Sequence, residues 1–244
     1  EISHKISYNY GNNDQITNSY STSSGKYDFF VDSLSNHFKQ AIIINTPGAK
    51  ISYNYKKMKY SFGSGFGITN FSLKDITENK NYKRNYINIF PAAALSYTFK
   101  NNGNIRFNYN GNTEQPSIYQ LQPIINNGDY FNQYIGNPNL KPSFNNSFSL
   151  SYGKYNFIKD RWMQQSINIT TTNNAITYNK TINVDSGKTT IQPTNTNGNF
   201  SINLWTGYQF KFKKIDTRLF ISPRFTHTKT VEFLNSLKNT SNTI

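Results

Sequence analysis

Strict two-residue alternation, sustained for more than a dozen residues at a time, constrains this chain more than any other feature. Along 86–100, Ile87, Ile89, Ala93, Leu95, Tyr97 and Phe99 share one face, and Asn88, Ala92, Ala94, Ser96, Thr98 and Lys100 share the other. Along 104–110, Ile105, Phe107 and Tyr109 oppose Asn104, Arg106, Asn108 and Asn110. Along 200–212, Phe200, Ile202, Leu204, Tyr208, Phe210 and Phe212 oppose Ser201, Asn203, Gln209 and Lys211. Side chains two apart share a face only on an extended chain, so each run reads as a strand with one apolar and one wet face. Strands of soluble sheets average about five or six residues. A soluble sandwich would have to bend or break runs of this length.

About nine such strands are placed: 1–10, 38–56, 58–74, 85–100, 104–113, 144–158, 162–180, 189–212 and 216–231. A membrane helix is excluded, because it needs about 18 or more consecutive apolar residues and the longest plain run is Ala41-Ile42-Ile43-Ile44. Composition supports the same reading. Only 35% of residues are hydrophobic, yet 16% are aromatic, whereas disordered chains lack aromatics. The polarity comes from Asn (38 of 244), Ser and Thr rather than from charge. With no cysteine there is no disulfide, cysteine nucleophile or thiolate metal site.

The connectors alternate in length. Lys56-Lys57, Asn101-Asn102-Gly103, Lys159-Asp160 and Lys213-Lys214 are short, while 11–37, 75–84, 114–143 and 181–188 are long. Short turns on one side and long loops on the other are the pattern of an up-and-down barrel crossing a membrane. Aromatic residues cluster beside the short turns: Tyr53, Tyr55, Tyr60, Phe62, Tyr97, Phe99, Phe107, Tyr109, Trp162, Tyr208, Phe210 and Phe212. They read as an interfacial girdle, although aromatics also favour strands in general. Lys56, Lys57, Lys59, Lys159, Arg161, Lys213 and Lys214 stand at the same turns, where ammonium ends reach head groups or keep hairpin tips solvated. That accounts for part of the net charge of +14 without nucleic acid, and no basic run of five residues occurs.

The fold expected is therefore all-β, an antiparallel up-and-down transmembrane β-barrel, with 1–244 forming part of one barrel domain. An unpaired strand edge in lipid leaves backbone groups unsatisfied, so a barrel must close. Nine is an odd number where bacterial single-chain barrels have an even one. The chain starts almost directly in the alternating strand Ile2-His4-Ile6-Tyr8-Tyr10, and Asn235 to Ile244 read as a loop. The expectation is a piece of a larger barrel.

One segment is more specific: Pro116-Ser117-Ile118-Tyr119-Gln120-Leu121-Gln122-Pro123, then Tyr134-Ile135-Gly136-Asn137-Pro138-Asn139-Leu140-Lys141-Pro142. With the strand Ile105-Arg106-Phe107-Asn108-Tyr109 before it and Phe144 to Tyr152 after it, this segment resembles the TonB-dependent outer-membrane receptors of Bacteroidetes type, in their outer membrane β-barrel protein branch. Ser143 departs from the acidic residue usual there. The specific motifs cover about residues 105–152. The resemblance implies a 22-stranded parent barrel with an N-terminal plug and a TonB box, neither of which is visible in this chain.

Read from its residues, the motif loop has a mechanical role. Pro116, Pro123, Pro138 and Pro142 cannot donate ladder hydrogen bonds. Gly136-Asn137-Pro138 reads as a turn back to the rim. Leu121, Ile124, Ile125 and Leu140 pin the loop by burial, with Gln120 and Lys141 completing the motif. Ligand contact by this loop is the secondary expectation.

Chemistry is sparse. His4, His37 and His227 are far apart, with no ligand-spaced partner. No Gly-x-Ser-x-Gly elbow occurs. Gly63-Ser64-Gly65-Phe66-Gly67 lies inside an alternating strand and reads as cleared space on the inner face, for an element such as a plug. No enzyme, cofactor or metal is expected. The function expected is active uptake of a siderophore, glycan or peptide-type nutrient through the parent barrel. The alternative is a structural or assembly subunit of an outer-membrane complex, in export or barrel insertion. A soluble adhesin or lectin fits the apolar rows poorly. Partners expected are outer-membrane lipid, the parent's plug and the TonB complex, and a surface lipoprotein or other envelope subunit, but no nucleic acid.

Overall fold

The structure is a computed structural model that describes residues 1–31, 35–77, 79–123, 125–126, 129 and 131–244. The strands are β1 (Ile2–Gln15), β2 (Asn18–Ser21), β3 (Lys26–Phe30), β4 (Asn36–Tyr55), β5 (Met58–Asp75), β6 (Lys80–Thr98) and β7 (Gly103–Glu114). A one-turn helix, α1 (Ile118–Leu121), follows, then β8 (Ile125–Asn126) and β9 (Asn132–Ile135). The rest are β10 (Ser143–Asn156), β11 (Arg161–Asn173), β12 (Ala175–Ile182), β13 (Thr189–Thr196), β14 (Asn199–Phe212), β15 (Thr217–Ile221), β16 (Arg224–Leu234) and β17 (Leu237–Thr243).

Nine strands form one continuous wall in the order β1-β4-β5-β6-β7-β10-β11-β14-β16, each antiparallel to its neighbour. Register fixes the faces. Ile51 pairs with Phe62, Phe62 with Ala93, Ala93 with Tyr109, Tyr109 with Phe148, Phe148 with Ile169 and Ile169 with Ile202. This apolar row crosses the sheet on one face. The opposite face carries Ser52, Ser61, Ala94, Asn108, Ser149, Asn168 and Asn203 in matching positions. The apolar face lies open: Ile51 is 74% and Ile87 79% exposed. Among the described residues no helix is long and apolar enough to cross a membrane, which says nothing about strands.

Five sequence expectations need correction. The long connector 75–84 shrinks to 76–79, because β5 and β6 run on to Asp75 and from Lys80. There the outward positions turn polar (Ser72, Lys74, Asn81, Lys83), so alternation fades although pairing continues. The strands 162–180 and 189–212 each break, at Asn174 (φ 51°) and at Gly198 (φ 110°). The β12–β13 hairpin bends away from the wall at these two left-handed residues. The strand 216–231 is interrupted at Ser222-Pro223, where Pro223 offers a carbonyl to Thr206 but no donor. Asn235 to Ile244 is not a loop: Asn235 (φ 49°) and Ser236 (φ 65°) turn the chain into β17, which pairs with β16. Two successive left-handed residues make the hairpin turn that matches strand twist.

The buried apolar core lies at the long-loop end of the wall and not at its centre. Phe38, Ile42, Phe71 and Leu73, from β4 and β5, meet Leu121 and Leu140 of the 114–143 loop. Ile44, Tyr82, Tyr86 and Ile176 pack around them.

Candidate functional site

The motif segment folds into a latch over the polar face at the long-loop end. Pro116 is buried, and Ser117 begins the single turn of α1. The Gln120 N–H donates to Ser117 Oγ (3.2 Å) and the Ser117 N–H donates to Gln120 Oε1 (2.9 Å). This reciprocal capping box satisfies donors that so short a helix leaves free. The turn delivers Leu121 (4% exposed) into the core, and Leu140 (1%) enters from the other limb. Full burial of such a side chain is worth about 1.5–3 kcal/mol. Ile124 lies outside the described residues, as does the side chain of Ile125. Pro123 is exposed, so it lies outside this core.

Gly136 explains the turn. A Cβ there would lie 2.0 Å from the Gln122 carbonyl oxygen, so the two limbs cross backbone to backbone. Asn137 then ties three segments together. Its N–H donates to Gln120 O (2.7 Å), its Nδ2 donates to Pro193 O (3.0 Å), and its Oδ1 accepts from the Asn139 N–H (2.9 Å). The half-buried Pro138 holds the turn between them. Lys141 contributes its backbone: its N–H donates to Asn195 Oδ1 (2.8 Å), and Asn195 Nδ2 donates to Lys141 O (2.9 Å). The Lys141 side chain is exposed, and Pro142 leads the chain into β10.

Sequence reasoning missed the other half of this arrangement. Asn13 Nδ2 donates to Gln122 Oε1 (2.9 Å). Arg84 reaches the latch from β6, donating to Leu140 O (3.4 Å) and Asn139 Oδ1 (3.3 Å). Tyr119 stacks on Tyr134 at 4.2 Å, and Tyr178 of the bent hairpin stands edge-on 6.3 Å away. The Tyr134 hydroxyl is buried without a hydrogen-bond partner among the described residues. Burial, then the neighbouring phenols of Tyr178 and Tyr119, raise its pKa well above the ordinary tyrosine range. Asn13 and Asn195 carried no signal, because Asn occurs everywhere in this sequence.

At the short-turn end, eleven of the twelve singled-out aromatics share the apolar face. They touch in chains: Tyr53 with Tyr55 and Tyr60, Tyr60 with Phe62, Tyr97 with Phe99, and Tyr208 with Phe210 and Phe212 through Phe210. Phe107 and Tyr109 continue the face along β7. Trp162 is the exception and a correction. Its register opposite Tyr155 puts it on the polar face, over Gly207 and against Trp205 (6.1 Å) and Phe220 (5.8 Å). Nearness to a turn does not set the face; the turn's length does. On the polar face, the space beside Gly67 is filled by Phe90 from β6, whose Cε2 would lie 2.6 Å from a Cβ there. In the turns, a hydrogen bond from Arg218 holds the Asp160 carboxyl below the usual carboxylate range.

A long antiparallel wall with one open apolar face and one polar face agrees with a match over residues 1–243 to the outer membrane protein beta-barrel family. The chain belongs to that family. It is an integral outer-membrane protein, and the apolar face is its lipid side. Among solved structures it resembles the copper transporter OprC, with a TM-score of 0.54, 11% identity, and coverage of 93% of this chain and 35% of that one. The siderophore receptor PirA from Acinetobacter baumannii aligns with a TM-score of 0.46 at 11% identity, covering 93% of this chain and 42% of that one. At such identity the OprC likeness shows fold, and the chain spans about a third of OprC's length. No curated protein matches in sequence. In this family's membrane the short turns face the periplasm and the longer loops the cell exterior, so the latch stands on the outer side.

Proposed function

We propose that this chain is part of the barrel of a TonB-dependent receptor-like protein that takes up a siderophore, glycan or peptide-type nutrient. The observation that carries the reading is the chemistry of the polar face. Ser, Asn, Thr and Gln line it from strand to strand, and a recess of about 210 Å³ among Ser52, Asn54, Lys59, Ser61, Arg106 and Asn108 presents donors and acceptors. Such a lining suits hydrogen bonding to sugars or chelates. The copper and siderophore assignments of OprC and PirA support transport as the class. In this reading the parent supplies a plug and engages the TonB complex, a surface lipoprotein or another envelope subunit is the outer partner, and the chain performs no catalysis. The motif residues from Pro116 to Pro142 act as a structural latch that fixes the outer rim, and the aromatics of the apolar face act as an interfacial girdle.

The structural or assembly reading draws on one specific observation. The latch is fixed by a capping box, backbone crossing and stacked tyrosines, which suits a scaffold as well as a gate. The two readings separate in the intact protein. Uptake of nutrient classes in cells should stop when the proton gradient is dissipated, and replacing 114–143 by a short linker should lower substrate affinity about tenfold or more. Uptake indifferent to both would remove the transport reading and leave the scaffold.

A further inference from the structure

Among the described residues the β4–β5 ladder skips briefly at Thr46-Pro47, and the β6–β7 ladder parts over a longer stretch for a local chemical reason. The β6–β7 ladder runs from Thr98↔Asn104 to Ala92↔Asn110 and then stops, although β6 continues to Lys80 and β7 to Glu114. The next residue of β6 is Pro91. On β6, the Thr98 N–H donates to Lys57 O towards β5, while the Phe99 N–H donates to Gly103 O towards β7. Alternation along the regular β5–β6 register therefore turns the backbone groups of odd-numbered residues towards β7. Pro91 falls on an odd position, where the ladder needs a donor that proline lacks. Its ring also abuts Gly111 of β7, with Phe144 on the same glycine. Beyond this wedge β7 remains with β10 as far as Ser143↔Glu114, and β6 remains with β5.

The parted strands leave a cleft of about 700 Å³, lined on one side by Arg84, Tyr86 and Ile87 and on the other by Lys141, Ser143 and Phe144. The backbone N–H and C=O groups of Lys83, Asn85, Ile87 and Ile89 face into it. Among the described residues they have no backbone partner on that side. A row of unpaired, extended backbone groups is a template for an added strand. The lining includes two cations, Arg84 and Lys141, and no acidic side chain.

We propose that this cleft, at the long-loop end of the wall, is a strand-addition site for an extended acidic segment of a partner polypeptide. The added strand pairs with the odd-numbered residues from Lys83 to Ile89, and its carboxylates meet Arg84 and Lys141. This site is separate from the uptake reading and does not depend on it. Pro91 has a positive role here: it keeps β7 from closing the slot.

The test uses the intact protein in detergent micelles and a fluorescent ten-residue peptide alternating threonine and glutamate. The peptide is expected to bind saturably, to slow hydrogen exchange at the amides of Asn85, Ile87 and Ile89, and to leave those of Tyr86 and Asn88 unchanged. Methylating alternate peptide nitrogens should weaken binding at least tenfold. Ile87→Pro removes a donor that faces only the cleft, so the protein should keep its heat-modifiable folded mobility and lose binding at least tenfold. Arg84→Gln with Lys141→Gln should weaken binding several-fold and abolish its salt dependence. The proposal is overturned if Ile87→Pro binds like the wild type, or if the lysine counterpart of the peptide binds equally well. It is also overturned if those amides are already protected in native outer-membrane vesicles and lose protection on delipidation, because lipid head groups would then fill the slot.

Discussion

The two ends of this wall are stabilised by different means. Towards the short turns the strands present an apolar face that the protein itself leaves open, with Ile51 74% exposed. Lipid covers that face, and the ladder holds the strands. Towards the long loops the same sheet builds a core of its own: Phe38 (0%), Leu73 (1%) and Leu140 (1%) are sealed beneath the latch. The second end behaves as a small soluble domain mounted on a membrane scaffold. Its polar groups are tied side chain to backbone, chiefly through Asn137 and Asn195. One half thus relies on its solvent, and the other on conventional packing.

That contrast can be broken from either side. Phe38→Ala should have the largest effect, costing about 3–5 kcal/mol at the core. It should expose 114–143 to protease while the lipid-embedded wall keeps its heat-modifiable mobility; loss of both together would erase the distinction. Gly136→Ala should follow at about 3 kcal/mol, because the new Cβ meets backbone that cannot move aside. Gly153→Ala, with open space around it, should stay within about 0.5 kcal/mol in the same urea titration. On the wall, Ile167→Arg faces lipid and should cost about 2 kcal/mol in vesicles, whereas Asn168→Arg on the polar face should cost far less. Equal costs would mean that the faces are misassigned.

Tyr134→Phe should be neutral or stabilising by about 1 kcal/mol, since it removes a buried hydroxyl that has no partner. It also carries a pH signature. Burial favours the neutral phenol, so the wild-type contribution is intact below the ordinary tyrosine pKa of 10.0 and is lost as pH rises above it. Protease sensitivity of the latch should therefore climb in alkali in the wild type and not in the variant. The smallest effect belongs to Asp160, whose carboxyl is held low by Arg218. Its contribution is present above the usual carboxylate pKa of 3.8 and is lost as pH falls below it, a dependence that Arg218→Gln should remove from an acid titration of hairpin stability.

The motif loop was legible only in part. Pro116, Gly136 and Asn137 stood out because proline and glycine carry their own conformational signal. Arg84, Asn13 and Asn195 did not, since each acts through a contact more than fifty residues away in the chain. Trp162 shows a further gap: an aromatic beside a turn looks the same in sequence whichever face it takes.

By itself the sequence determined the strands within the membrane, their apolar and polar faces and the tight turns on one side. These follow from a period of two and from residues that tolerate left-handed backbone, both local properties. Tertiary structure alone decided where the strands end outside the membrane, where the β12–β13 hairpin bends, and that Pro91 parts β6 from β7. Outside lipid the outward positions turn polar and the opposite face is dry only where the latch covers it, so alternation no longer reports pairing. What remains there depends on which distant groups meet.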